Sequence, residues 1–176
     1  AFCVTILGEA PNGEALRRSG AHAGDSIWVS GRPGRAALGL AHLQGRTVLA
    51  EPQLGECLAA LHRPQPRVAL GLALRGLATA AIDVSDGLLA DLGHILEQSA
   101  RAARLQIPNL PAAGLERDCL LAGGDDYELL FAAPASRDGD IAALAGTLQL
   151  PLTRIGQITS GPPGKLVVCD DDGAVI

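Results

Sequence analysis

Apolar and polar positions along this chain follow two rhythms. Short β-branched or apolar runs read as strands, and longer stretches with apolar residues three and four apart read as amphipathic helices. Phe2 to Leu7 opens as a strand-like run, Gly8 to Gly13 as a turn, and residues 14–18 as a short helix. Ser26 to Val29 reads as a strand, followed by a Gly-rich loop, Ser30 to Gly34. Helices are expected over 35–43 and 54–62, where Pro64 and Pro66 stop the second, and a third helical stretch over 67–78. Thr79 to Val84 is a short buried strand. The clearest helix spans 87–99: Leu88, Leu89, Leu92, Ile95 and Leu96 form one apolar stripe, and Asp91, His94 and Gln98 are assigned to the opposite face. A strand near 104–107, a Pro/Gly-rich connection, a strand at 127–132, a helix at 138–149 and strands at 153–158 and 165–169 complete the pattern.

Strands separated by helices, together with strand pairs close in sequence, predict an α+β fold: a layered α/β sandwich in which helices cover a mixed sheet. No low-complexity linker divides the 176 residues, so one domain is expected, with a soft boundary only at the Pro-rich stretch 62–66. With 48% hydrophobic and 19% charged residues the chain can bury a core and is not a disordered sequence.

Composition narrows the function. A net charge of −5 argues against binding a nucleic-acid backbone through bulk charge. Gly, Arg or Asp interrupts every apolar run before it reaches the roughly 18–20 residues of a membrane span. No signal peptide is visible, and Cys3, Cys57, Cys119 and Cys169 lie far apart with no Cys-x-x-Cys, which suits scattered buried thiols in a reducing cytoplasm. The chain has no Met and only Phe2, Trp28, Tyr127 and Phe131 as aromatics, so its core must be aliphatic.

Chemistry concentrates at two turns. Asp83-Val84-Ser85-Asp86-Gly87-Leu88 lies where a buried strand hands over to an amphipathic helix. Free N–H groups at a helix start favour anions. Carboxylates beside them would repel a bare phosphate but accept one that carries Mg²⁺, which seeks hard oxygen ligands. The plainer reading is a helix cap by Ser85 or Asp86. Asp83, at the end of an apolar strand, is harder to explain that way, because a charge there is expensive without a partner. The second turn is Gly123-Gly124-Asp125-Asp126-Tyr127-Glu128. Glycines permit close approach of a ligand, Asp125 can meet a cationic or metal-bound group, and Tyr127 can stack on a ring. The alternative is an acidic turn before an edge strand. Arg17 and Arg18, in Leu16 to Ala21, offer guanidinium forks for phosphate or simply a solvated basic turn. The loop Ser30 to Arg35 could cradle phosphate with its amides. Gly161 to Leu166 is no Walker loop, and neither Gly-x-Ser-x-Gly nor Gly-x-Gly-x-x-Gly occurs.

Together and in order, these motifs resemble the bacterial thiamine-monophosphate kinases, of the aminoimidazole ribonucleotide synthetase and selenophosphate synthetase superfamily. The resemblance runs through Thr5-Ile6-Leu7-Gly8, Leu16 to Ala21, Gly24-Asp25, Trp28-Val29-Ser30-Gly31, Arg63-Pro64-Gln65-Pro66-Arg67, the two acidic turns and Arg154-Ile155-Gly156. It implies phosphorylation of thiamine monophosphate to thiamine diphosphate by ATP, through direct in-line transfer with Mg²⁺ and no covalent enzyme intermediate. Asp83 and Asp86 would be Mg²⁺ ligands, Ser85 and Arg18 would contact ATP, and Asp125 and Tyr127 would stand at the thiamine phosphate. The family's N-terminal ATP- and Mg²⁺-binding domain would precede residue 1 and an aromatic-containing tail would follow residue 176. The chain would thus be a C-terminal domain holding about half of an active site, inactive alone, within a homodimeric cytoplasmic parent. The alternatives are another ATP-using superfamily member, akin to selenophosphate synthetase or hydrogenase-maturation proteins, and a non-catalytic ligand-binding domain.

Overall fold

In a computed structural model, which describes residues 3–170 and 173–176, six strands form one mixed sheet. These are β1 (Asp25–Ser30), β2 (Ala80–Val84), β3 (Ala102–Gln106), β4 (Glu128–Pro134), β5 (Leu152–Thr159) and β6 (Leu166–Cys169). Their order across the sheet is β2-β4-β1-β5-β3-β6, antiparallel throughout except for the parallel β3–β6 pair. The helices are α1 (Arg35–Leu43), α2 (Gln53–His62), α3 (Val68–Ala73), α4 (Leu88–Ser99), α5 (Leu115–Ala122) and α6 (Asp138–Leu148). The α+β layering expected from the pattern is the observed one.

Alternation along the strands divides the core in two. Ile27 and Val29 of β1 and Leu130 and Ala132 of β4 meet α4, together with Ile82, Leu105 and Ile155. Trp28, Phe131 and Ala133 point to the other face, where Leu70, Leu74 and Ile141 cover them from the α3 and α6 side. Helix α4 holds the larger layer: Leu88, Leu92, Ile95 and Leu96 are at most 1% exposed. At about 1.5–3 kcal/mol for each fully buried side chain, this single stripe ties β2 firmly to its neighbours. A third, smaller cluster of Leu38, Leu49, Cys57 and Cys119 joins α1, α2 and α5. Cys57, Cys119 and Cys169 are buried free thiols, and Cys3 is exposed. Among the described residues no helix is long and apolar enough to cross a membrane.

Several expectations are corrected. Residues 1 and 2 lie outside the described ones, and residues 3–7 form no strand: Val4, Ile6 and Leu7 are 84%, 88% and 91% exposed, and no strand among the described residues pairs with them. Residues 14–18 form no helix. The chain there runs along the free edge of β2 instead, and the Arg17 carbonyl accepts a hydrogen bond from Ala81 N–H at 2.8 Å. The third helical stretch is regular only over Val68–Ala73. The Pro/Gly-rich connection contains a helix, α5, that the pattern did not reveal.

Candidate active site

The two acidic turns, forty residues apart in sequence, lie against each other because β2 and β4 are antiparallel neighbours, with Val84 paired to Glu128. The turn after β2 and the turn before β4 therefore emerge at one edge. Backbone hydrogen bonds join them: Asp125 N–H donates to the Ser85 carbonyl at 2.9 Å and Tyr127 N–H to the Val84 carbonyl at 2.8 Å. Glycine makes the approach possible. A Cβ on Gly124 would stand 2.4 Å from the Ser85 carbonyl oxygen, and one on Gly87 would stand 2.8 Å from the Ala122 carbonyl group. Gly87 also has φ +122°, a conformation side chains resist.

Asp83, Asp86 and Asp125 are exposed. The expectation that Asp83 needs a partner is overturned. On β2, Ile82 and Val84 point into the core, and Asp83 between them turns to solvent. No hydrogen bond or ion pair among the described residues engages the Asp83 or Asp86 carboxylate. Asp125 and Tyr127 have φ +66° and +51°, and the Tyr127 hydroxyl, on a side chain 44% exposed, lies 3.4 Å from Asp125 Oδ1.

The cap of α4 is not Ser85 or Asp86. Asp91, placed on the polar face by the sequence reading, is 2% exposed, and its Oδ2 accepts the N–H groups of Ser85, Asp86 and Gly87 at 2.9, 3.0 and 3.1 Å. Spacing was the signal: Asp91 stands three residues after Leu88 and four before Ile95, on the buried stripe. The amides read as an anion site are thus already occupied by a side chain of this protein.

The acidic turn before β4 is anchored by its alternate residues. Asp126 Oδ2 accepts Gly34 N–H at 2.6 Å, and Oδ1 accepts Ala36 N–H at 3.2 Å, so this carboxylate caps α1 from a distance. Burial pushes the Asp126 carboxyl up to about 6, against the lowering effect of those two bonds. Glu128 is 7% exposed and receives Arg67 through Nε at 2.7 Å and Nη2 at 2.5 Å, and the Ser30 hydroxyl at 2.5 Å. This hydrogen bond to Glu128 raises the Arg67 guanidinium further. Asp126 and Glu128 point inward and hold; Asp125 and Tyr127 point outward. The loop Ser30 to Arg35 is no free phosphate cradle, since Gly34 N–H goes to Asp126 and Gly31 N–H to the Pro151 carbonyl at 2.8 Å.

Arg18 stands elsewhere. Its carbonyl accepts from the Ser99 hydroxyl at 3.5 Å, at the far end of α4. By the rise of a twelve-residue helix that is roughly 18 Å from the Asp86 end. Beside Leu88, a cavity of about 210 Å³ is walled by Val29, Leu88, Ile107, Leu120 and Ile155, and among the described residues Arg32 is the one charged residue that lines it.

Two exposed, unpartnered carboxylates fit a hard divalent cation as partial ligands. No cluster of three or more His, Cys, Asp or Glu able to hold a metal occurs among the described residues, so water and substrate phosphates would have to complete the sphere.

A mixed sheet layered with helices, whose two glycine-pinned acidic turns share an edge, defines a class. The chain belongs to the family described as AIR synthase related protein, C-terminal domain, whose model matches residues 22–169. Within that class it is similar to thiamine-monophosphate kinases. The protein of Escherichia coli (strain K12) is 43% identical over 177 residues, which cover 95% of this chain and 54% of the relative. The crystal structure of the thiamine-monophosphate kinase from Stenotrophomonas maltophilia K279a matches with a TM-score of 0.80 and 44% identity, over 93% of this chain and 55% of that one. AaThiL, solved in complex with AMPPCP and TMP, matches with a TM-score of 0.71 and 28% identity, over 92% and 52% of the two chains. The chain spans about half the length of the curated relatives it matches. The hydrogenase maturation protein HypE, at 20% identity and a TM-score of 0.69, shares the fold.

Proposed function

We propose that this chain serves the ATP-dependent phosphorylation of thiamine monophosphate to thiamine diphosphate, supplying about half of the active site as a C-terminal domain. The observation that carries the reading is the shared edge: the Ser85 turn and the Asp125 turn are joined by backbone hydrogen bonds and glycine contacts, which puts Ser85 and its flanking carboxylates beside the turn of Asp125 and Tyr127. Similarity to kinases of that specificity, one of them solved with AMPPCP and TMP, supports it.

In this reading Asp83 and Asp86 hold Mg²⁺, and the Ser85 hydroxyl donates to a nucleotide phosphate. The ion neutralises charge on the phosphates and orients the transferring group. Asp125 and Tyr127 orient thiamine monophosphate from the neighbouring turn. Arg18 meets ATP from the β2 edge, at a distance from the other residues that only a partner segment or an extended nucleotide would bridge. The protein needs no nucleophile of its own; its work is positioning and charge compensation. A cytoplasmic, homodimeric parent completes the proposal.

The test is thiamine diphosphate formation from ATP, Mg²⁺ and thiamine monophosphate by the full-length product of the gene. Asp86→Asn removes charge and keeps shape, so it should cut turnover by about tenfold or more with an unchanged circular dichroism spectrum. A folded parent with no such activity overturns the kinase reading. Unchanged turnover in the variant overturns the role of Asp86.

A further inference from the structure

Asp91 does for the Asp83–Gly87 turn what a bound phosphate does in an anion-binding nest. Three successive N–H groups, those of Ser85, Asp86 and Gly87, converge on a single oxygen at 2.9–3.1 Å, and that oxygen is the carboxylate Oδ2 of a side chain 2% exposed. Convergent amides at a helix start ordinarily attract an external anion. Here an internal carboxylate satisfies them.

Two consequences follow. The amides are closed to substrate phosphate, so the turn can meet a nucleotide only through the Ser85 hydroxyl and the exposed carboxylates Asp83 and Asp86. The three bonds also set the direction of the Ser85 carbonyl, which receives Asp125 N–H from the second turn at 2.9 Å. One buried carboxylate therefore governs the shape of both turns without touching a substrate.

We propose that Asp91 is a positioning residue, which locks the turn in the form that presents Asp83 and Asp86 to a divalent cation and keeps phosphate off the turn's amides. The proposal rests on the metal–nucleotide reading of this site. Asp91→Asn retains one acceptor oxygen without charge, and Asp91→Ala retains none. The probe is Mn²⁺ alone, titrated by electron paramagnetic resonance into the full-length gene product, with Asp86→Asn as the control for the metal reading.

Wild type should bind Mn²⁺ saturably, and Asp86→Asn should weaken it. Asp91→Ala should weaken it by about tenfold or more, with Asp91→Asn in between. Amide exchange at Ser85, Asp86 and Gly87 should be slow in wild type although Asp86 is exposed, and should accelerate in the same order. If Asp91→Ala does not fold, Asp91→Asn carries the test. A folded Asp91→Asn with wild-type Mn²⁺ affinity and wild-type amide exchange, alongside a weakened Asp86→Asn, overturns the positioning role and leaves the metal reading standing. Wild-type Mn²⁺ binding that is absent, or indifferent to Asp86, overturns both.

Discussion

Asp126 makes two hydrogen bonds to backbone amides, yet the stability it contributes should fall as pH rises through about 6, and Asp126→Asn should abolish that fall. Burial raises the carboxyl from 3.8 to about 6. At 1.36 kcal/mol per pH unit, ionising Asp126 inside the fold costs about 3 kcal/mol more than ionising it in the unfolded chain. The folded state holds the proton more tightly, so the contribution of Asp126 is greatest below pH about 4 and is lost as pH rises through about 6. Asn cannot titrate; its single acceptor oxygen keeps one of the two amide bonds and turns an NH₂ donor toward the other amide, a cost of about 1–3 kcal/mol that does not vary with pH. The difference in unfolding free energy between wild type and Asp126→Asn should therefore favour the wild type by about 1–3 kcal/mol at pH about 4. By pH about 7 it should have moved toward the variant by up to about 3 kcal/mol. Urea unfolding at a series of pH values measures this, followed by the fluorescence of Trp28, the only tryptophan, which is 7% exposed and donates its indole N–H to Asp138 at 3.2 Å. Far-UV circular dichroism provides a second probe. A difference that stays flat with pH, or that turns toward the wild type as pH rises, refutes the reasoning. It would mean that the bonds from Gly34 and Ala36 outweigh desolvation.

The other anchors give further expected outcomes. Glu128→Gln leaves the part-buried Arg67 guanidinium without its bidentate partner and should cost about 3–5 kcal/mol, read as a lower urea midpoint; an unchanged midpoint would mean that the pair does not hold the turn. Gly124→Ala should force the turns apart, because its Cβ would stand 2.4 Å from the Ser85 carbonyl, and should lower stability by about 1–3 kcal/mol along with Mn²⁺ affinity. Gly146→Ala in α6, where nothing lies within 4 Å of the new methyl, should instead stabilise by about 0.5–1 kcal/mol in the same urea assay.

Local pattern was enough for the elements whose side chains report their own environment. Helix α4 was legible because five apolar residues share one stripe, and α1 and α2 because their apolar positions run to a clear stop. The candidate turns were legible too, since glycine and acidic residues between apolar runs mark both a turn and a possible charge site. Helix α5 was hidden by Pro111 and Gly114 before it and by the charged run Glu116-Arg117-Asp118 in its first turn, and it packs against α1 and α4. Residues 3–7 have the composition of a strand but no partner in the sheet, and backbone hydrogen bonds rather than composition make a strand.

The chemistry of this protein was therefore written in the chain, and its arrangement was not. Sequence alone singled out the candidates: Arg18, and Asp83, Ser85, Asp86, Asp125 and Tyr127 in glycine-bearing turns at the ends of apolar elements. Only the tertiary structure decided that Asp83 faces water while Asp91 is buried, that Asp126 and Glu128 hold while Asp125 and Tyr127 are offered outward, and that Arg18 stands at the other end of α4. The physical reason is that a strand's neighbour and a helix's packing partner determine whether a charge is solvated or must find a hydrogen bond. Those neighbours come from the antiparallel pairing of β2 with β4, which no local stretch of sequence contains.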